Sequence, residues 1–335
     1  MFTIGKISLL VSLLFLCRFT AIAEPGTGRH SLSISPLMGM ITGKSEENLY
    51  KYKDSDQHVS QLLWDLKPLF FTGFELDFGP AEPFKSGGFA SAASLKFGLP
   101  FKTGIMEDRD WADNSADYLT HYSRHDAYSQ NAILAAISAG YSWRITDFFV
   151  LGAYGEFSYM YFSWMAEDGF YQYSTFSGGH YNEWDESIPK EKVYGAVVRY
   201  AQNWFIFSPV LSVKGRIHGR LFVEGNISYS PLAYCADRDD HLLQDTSGHG
   251  KLFFGNFPFG HYINVSARLN YSLLETLDLC LSFSYRYITG LRDKTYYAIT
   301  GAGASGHSIV NYEGGTGYSA IDINLAAKIR VYGRR

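Results

Sequence analysis

Two short acidic motifs carry the residue types best suited to chemistry. Asp108-Arg109-Asp110-Trp111 holds two carboxylates at alternate positions, and Asp237-Arg238-Asp239-Asp240-His241 places two carboxylates and an imidazole at the same spacing. In an extended chain successive side chains point to opposite faces, so each alternating set shares one face. A histidine beside a carboxylate can serve as a general base, and a facing carboxylate pair can hold the water it activates. Two other readings compete. Any single loop-tip carboxylate is usually just solvated. His and Asp can also bind a divalent cation, although one histidine among many acids fits that less well. The sequence contains no Walker loop and no serine-centred elbow.

That spacing matters only if strands carry it, and strands are what the sequence spells. Ile321, Ile323, Leu325, Ala327, Ile329 and Val331 alternate with Asp322, Asn324, Ala326, Lys328, Arg330 and Tyr332. Leu277, Leu279, Leu281, Phe283, Tyr285 and Tyr287 alternate with Asp278, Cys280, Ser282, Ser284 and Arg286, and similar runs cover 221–230 and 263–271. One face is greasy and the other polar. Aromatic residues make up 17% of the chain, with 25 Tyr and 25 Phe, against 19% charged residues. Strands of about 10 residues with this alternation, ending in aromatic girdles, describe an outer-membrane β-barrel. An aromatic-rich soluble sandwich is the rival on composition alone.

The N-terminus agrees with export. Lys6, an apolar run over 7–17 and Ala21-Ile22-Ala23 form a secretory signal, so residues 1–23 are expected to be removed. Lipid attachment at Cys17 is the weaker alternative. The run is too short for a membrane helix, which needs roughly 20 residues. Residues 24–335 are then expected to form a single all-β domain: a closed, antiparallel transmembrane barrel of about ten strands, extending beyond the membrane on the outer side. Short turns are expected near Gly79-Pro80, Thr146-Asp147, Lys214-Gly215 and Glu275-Thr276, and five longer outer loops at 46–58, 108–125, 167–191, 237–250 and 292–317. Strands such as 58–78 and 84–107 are long. Cys235 and Cys280 fall at opposite strand ends and are expected to stay unbridged. A net charge of −4 argues against a nucleic-acid binder, which would normally show a basic stripe.

Alternation also assigns the site a direction. Phe89, Ala93, Leu95, Phe97, Leu99 and Phe101 hold odd positions facing lipid, which leaves Ser94, Lys96, Lys102, Asp108 and Asp110 facing the lumen. Leu32, Ile34, Met38 and Met40 face lipid at even positions, so Glu47 points inward. The second motif is out of phase. Glu224 and Ser228 face inward at even positions, whereas Asp237, Asp239 and His241 are odd. A bulge between Ser230 and Asp237, near Pro231, is required to bring them in.

Taken together, four segments resemble the omptin family of outer-membrane proteases. They are Gly43-Lys44-Ser45-Glu46-Glu47-Asn48-Leu49-Tyr50 with Val59-Ser60-Gln61-Leu62 and Trp64; Asp108-Arg109-Asp110-Trp111; Ser123-Arg124-His125; and Asp237-Arg238-Asp239-Asp240-His241. The resemblance runs over nearly the whole mature chain. It implies a ten-stranded barrel in the outer membrane whose active site faces the exterior. It further implies that His241, oriented by Asp239, activates a water held against Asp108 and Asp110, with no cofactor or metal. By the same matching Glu47 and Asp237 correspond to the acids that receive a basic side chain before the scissile bond. Implied partners are peptide or protein substrates with basic residues, and lipopolysaccharide held by basic residues on the barrel exterior. One position departs: where the family has an acid that receives the residue after the cut, this chain has His121. A non-catalytic surface barrel, either an adhesin or a narrow channel, is the alternative on the same scaffold.

Overall fold

The computed structural model describes residues 30–113, 117–243, 249–301 and 307–332. The signal-peptide segment lies outside them. Ten long antiparallel strands form the molecule: β1 (His30–Tyr50), β2 (His58–Pro80), β3 in two segments (Gly88–Gly98 and Lys102–Asp110), β4 (His121–Arg144) and β5 (Phe149–Tyr173). They are followed by β6 (Ala196–His218), β7 (Leu221–His241), β8 (His249–Leu274), β9 (Leu277–Gly301) and β10 (His307–Tyr332). Each pairs with its chain neighbours, and β1 pairs with β10, so the ladder returns on itself as a ring.

Side-chain alternation sorts the strands as anticipated. On β9, Leu279, Leu281, Phe283, Tyr285 and Tyr287 are exposed, while Cys280 and Ser284 are buried inside. On β1, Leu32, Ile34 and Met38 face out and Ser33, Ser35 and Leu37 face in. The inward charges pair across the lumen: Lys96 Nζ lies 2.9 Å from Asp322, and Arg268 grips Glu75 with bonds of 2.9 and 2.7 Å. Cys235 and Cys280 are buried and free. A 25-residue strand such as β5, at about 3.3 Å per residue and tilted about 40°, rises about 60 Å. That is more than twice the apolar band of about 25 Å, so the strands continue well beyond lipid.

Several boundaries differ from the sequence reading. The strands β1, β5 and β9 run on to Tyr50, Tyr173 and Gly301, so the loops that follow them begin later than expected. At the other end β6 continues past Lys214-Gly215, and the turn falls at Gly219-Arg220. The expected strand over 84–107 is broken around Pro100, which supplies no N–H to a ladder. Beyond the break Lys102 points outward rather than into the lumen and pairs with Asp126 at 2.6 Å. A second irregularity between Lys102 and Gly104 restores the parity. Gly104 adopts φ 128°, and a Cβ there would stand 2.6 Å from that of Asp65.

Above the belt the lumen is closed by an aromatic layer. Trp64, Trp164, Trp204, Tyr200, Tyr318 and Phe162 are all fully buried. Trp64 stacks on Tyr200 at 5.5 Å between ring centres, and Phe162 on Trp164 at 5.4 Å. Below this layer lies a cavity of 760 Å³ lined by charged and serine side chains.

Candidate functional site

The acidic motifs sit directly above the aromatic floor, at the long-loop end and beyond the exposed apolar belt. Three strands that are not neighbours supply them: β1 brings Glu47, β3 brings Asp108 and Asp110, and β7 brings Asp237, Asp239 and His241. The bulge demanded by the phase of β7 is present. Ser230 is buried, Pro231 and Leu232 are both exposed, and Ala233 is buried again. The β7–β8 register shifts between Ser230 and Ala233, and the Ser230 hydroxyl accepts the Leu232 N–H at 3.0 Å. One extra residue there turns every later side chain to the opposite face. The odd residues Cys235, Asp237 and Asp239 are therefore buried inside.

His241 and Asp239 form a tight pair, with Nε2 2.6 Å from Oδ2. An ionised carboxylate only accepts, so Nε2 carries the proton and Nδ1 is the basic nitrogen of the neutral ring. Burial pulls the imidazole pKa down, but Asp239, Asp108 and Asp110 outweigh it and push it up to about 9. Asp108 and Asp110 are held up chiefly by burial; repulsion by Asp110 adds for Asp108, while His241 and the Ser60 hydroxyl oppose the rise in each. Ser60 faces Asp110 directly in the β2–β3 ladder. Glu47 is raised by burial and by the nearby charges of Asp239, Asp237 and Asp108, which shows how closely the acids converge.

Asp237 lies deepest. Its Oδ2 accepts the Tyr200 hydroxyl at 3.1 Å and its Oδ1 the Gly255 N–H at 2.8 Å. Burial nevertheless pushes this carboxyl up to about 7. Behind it, Gln202 donates to the Tyr200 oxygen at 2.9 Å and accepts the Trp204 indole N–H at 3.2 Å. Asp237 is thus fixed by a chain of buried polar groups. Glu47 Oε2, Asp108 Oδ1 and Asp239 Oδ1 are sealed from solvent and receive no donor from the described residues. Buried acceptors of this kind demand donors, so the cleft is complementary to a cationic or N–H-rich ligand. Among the described residues no group of three or more His, Cys, Asp or Glu side chains is placed to hold a metal ion.

All six residues singled out from the sequence therefore meet at one cleft. Ser60, Tyr200 and the Gly255 N–H were not singled out. Ser60 and Tyr200 do occupy inward phases of their strands, which is a signal too common to isolate them. Gly255 acts through its backbone and leaves no mark in side-chain chemistry.

The Omptin family model matches residues 28–329. The chain belongs to the omptin family. It is similar to the plasminogen activator of Yersinia pestis, with 22% identity over 73% of this chain and 75% of that one. It is also similar to the outer membrane protease OmpP of Escherichia coli, with 26% identity over 72% of this chain and 76% of OmpP. Among solved structures, the outer membrane protease OmpT of Escherichia coli superposes with a TM-score of 0.75 at 18% identity, covering 90% of this chain and 96% of OmpT. At that identity the superposition speaks for the fold, and the family match carries the rest. The protein is an outer-membrane protease acting on peptide or protein substrates.

Proposed function

We propose that this protein is an endopeptidase that cleaves after Arg or Lys, by direct attack of a water activated between Asp108/Asp110 and the Asp239–His241 dyad. Residues 1–23 are removed on export, and the cleft opens to the cell exterior at the long-loop end. The observation that carries this reading is the 2.6 Å dyad held within electrostatic reach of a buried aspartate pair. Water bound to Asp108 and Asp110 gives a proton to Nδ1 of His241, and its oxygen adds to the scissile carbonyl. Asp239 stabilises the imidazolium so formed. The imidazolium then protonates the departing amine, and no acyl-enzyme forms.

The acid cluster also explains a cation requirement. Without ligand, the acids raise the affinity of His241 for its proton and make it a poor acceptor near neutral pH. A guanidinium or ammonium entering beside Glu47 and Asp237 satisfies the donorless Glu47 oxygen and offsets the negative field. That lowers the pKa of the imidazole towards the working pH, where a base is most effective. Substrate recognition and activation of the base are therefore one electrostatic event.

The competing reading of a narrow channel meets the aromatic layer, in which six large fully buried rings cross the lumen beneath the cleft. The deciding experiment is digestion of a peptide library by refolded protein in outer-membrane lipid, including lipopolysaccharide, with cut sites read by mass spectrometry. Cuts confined to bonds after Arg and Lys are expected, with about 10³-fold or greater loss in His241→Ala. A His241→Ala variant as fast as the parent refutes the mechanism.

A further inference from the structure

At the end of the barrel remote from the cleft, the lipid-facing wall is hollowed. Ala153 on β5 opposes Leu211 on β6, and Gly225 on β7 opposes Val213, so both small residues share the outward face of those exposed neighbours. Ile227 and Val265 stand exposed beside them. The difference in height makes a groove of 580 Å³ with the Trp143 ring at its rim and no charged side chain in its lining. A Cβ at Gly225 would meet nothing closer than Val213 at 3.4 Å, so the space is open.

The strands at its centre, β6 and β7, join through the turn 216–220, which carries Arg216, His218 and Arg220 and no acid. The other short turns neutralise their cations locally. Lys85 pairs with Glu82 at 2.5 Å, Arg144 with Asp147, and Arg330 with Asp278 at 3.8 Å. Among the described residues none of the three basic groups at 216–220 has such a carboxylate. Arg216 is drawn to the lumen side, its guanidinium 4.6 Å over the Phe84 ring. His218 and Arg220 are left exposed.

We propose that the groove and this turn bind an anionic phospholipid of the periplasmic leaflet, with one acyl chain in the groove and the phosphate on Arg220 and His218. Short turns face the periplasm, which places the groove in that leaflet. Val213 lies five residues above His218, or about 13 Å at about 3.3 Å per residue and a tilt of about 40°. That is half of an apolar band of about 25 Å, so a chain in the groove has its headgroup level with the turn. The outward residue between Val213 and Ile217 is Gly215, which leaves the path along β6 unobstructed. A phosphate supplies the counter-charge that the turn lacks, and a guanidinium binds it through paired N–H bonds.

Trp143 reports on the site directly. Of the six tryptophans, Trp64, Trp164 and Trp204 are sealed in the floor, and Trp111 and Trp184 belong to the long-loop end. The refolded full chain is placed in phosphatidylcholine vesicles containing a fraction of chain-brominated phosphatidylglycerol or of equally brominated phosphatidylcholine. Bromine quenches an indole it touches, and the difference from Trp143→Phe isolates the Trp143 signal. Brominated phosphatidylglycerol is expected to quench at about tenfold lower mole fraction than brominated phosphatidylcholine. Arg220→Gln/His218→Asn, exposed in a turn, is expected to bring the two lipids together. Gly225→Leu fills the groove and is expected to weaken quenching by phosphatidylglycerol; if it fails to fold, the turn variant decides alone. Equal quenching by both lipids in the parent overturns the proposal, as does an advantage unchanged in the folded variants. A Trp143 shielded from both lipids overturns it too, since a second copy of the chain would then cover the groove.

Discussion

Asp239→Asn tests the dyad with almost no change of shape. The carboxylate oxygen is 2.6 Å from His241 Nε2, Asp239 is 3% exposed and the His241 side chain 32%. Raising the imidazole from 6.5 to about 9 corresponds to a net preference for the imidazolium of ~3 kcal/mol, even after burial has opposed it. Asn keeps an acceptor for the N–H but removes the charge and no longer imposes one tautomer. A fall in kcat of about 10²–10⁴ follows, from lost imidazolium stabilisation and from rings in the wrong tautomer. The pH profile gives the sharper signature. In the parent, kcat/KM climbs as free His241 loses its proton, with a limb approaching pH 9. In Asp239→Asn that limb moves to lower pH, so the deficit is smaller at pH 6 than at pH 9. Initial rates on one Arg peptide across this range suffice, with folding checked by the heat-shifted mobility of the barrel on a gel. A variant within about threefold of the parent at every pH, with an unmoved limb, refutes the dyad as the base.

Other consequences are as direct. Asp108→Asn/Asp110→Asn should abolish peptide cleavage while the variant still folds, since it relieves a repelling buried pair; turnover near the parent's would remove the pair from the mechanism. Glu47→Gln should lower kcat/KM for Arg and Lys peptides by about 10–100-fold and weaken discrimination against neutral residues before the cut, as measured on matched peptides. Asp237 has a folded pKa of about 7, above its ordinary 3.8, so its contribution to stability is full below the ordinary value and lost as pH rises through 7. Asp237→Asn should therefore raise the unfolding temperature at pH 8 relative to the parent and by less at pH 5, read from the same gel shift; an equal change at both values contradicts it. Deleting Leu232 removes the extra residue of the β7 bulge and should silence the protein by turning His241 outward; retained activity would show that the bulge does not set the phase.

The barrel was legible because alternation is a property of the chain itself: a strand that faces lipid on one side must be greasy at every second position. The same parity points Glu47 inward, and on β7 its failure locates a bulge. Pro231 marked the spot, and the structure has it at Pro231-Leu232. On β3 the parity reached Asp108 and Asp110 through two irregularities that cancel, at Pro100 and at Gly104, and Lys102 between them was misplaced as a result. Loop ends were less legible because the outer ends of β5 and β9 no longer alternate greasy with polar: Phe170 and Tyr171, and Tyr296 and Tyr297, are adjacent residues of one strand. Alternation there carries no signal, although the backbone continues to pair. The polar chain Trp204–Gln202–Tyr200–Asp237 was invisible for another reason: its members are ordinary inward residues of two strands, and only register makes them touch.

That chain and the aromatic floor bear directly on why the cleft needs its substrate. Water beneath the acids would screen them from one another, and each would ionise near its ordinary pKa. The rings of Trp64, Trp164 and Tyr200 exclude water from below, so Glu47, Asp108, Asp110 and Asp237 repel in a medium that screens weakly. Burial pushes all four up, repulsion by neighbouring carboxylates adds for Glu47, Asp108 and Asp237, and the acids in turn push the dyad imidazole up. A site in this condition has two ways to reduce its field: take up protons, or take up a cation. The first leaves His241 protonated and unable to act as a base; the second, by a basic side chain of the substrate, frees it. Opening the floor, for instance by Trp64→Ala, should then lower the pH limb of kcat/KM and relax the preference for Arg and Lys together. A change in one without the other would separate recognition from activation and refute their common electrostatic origin.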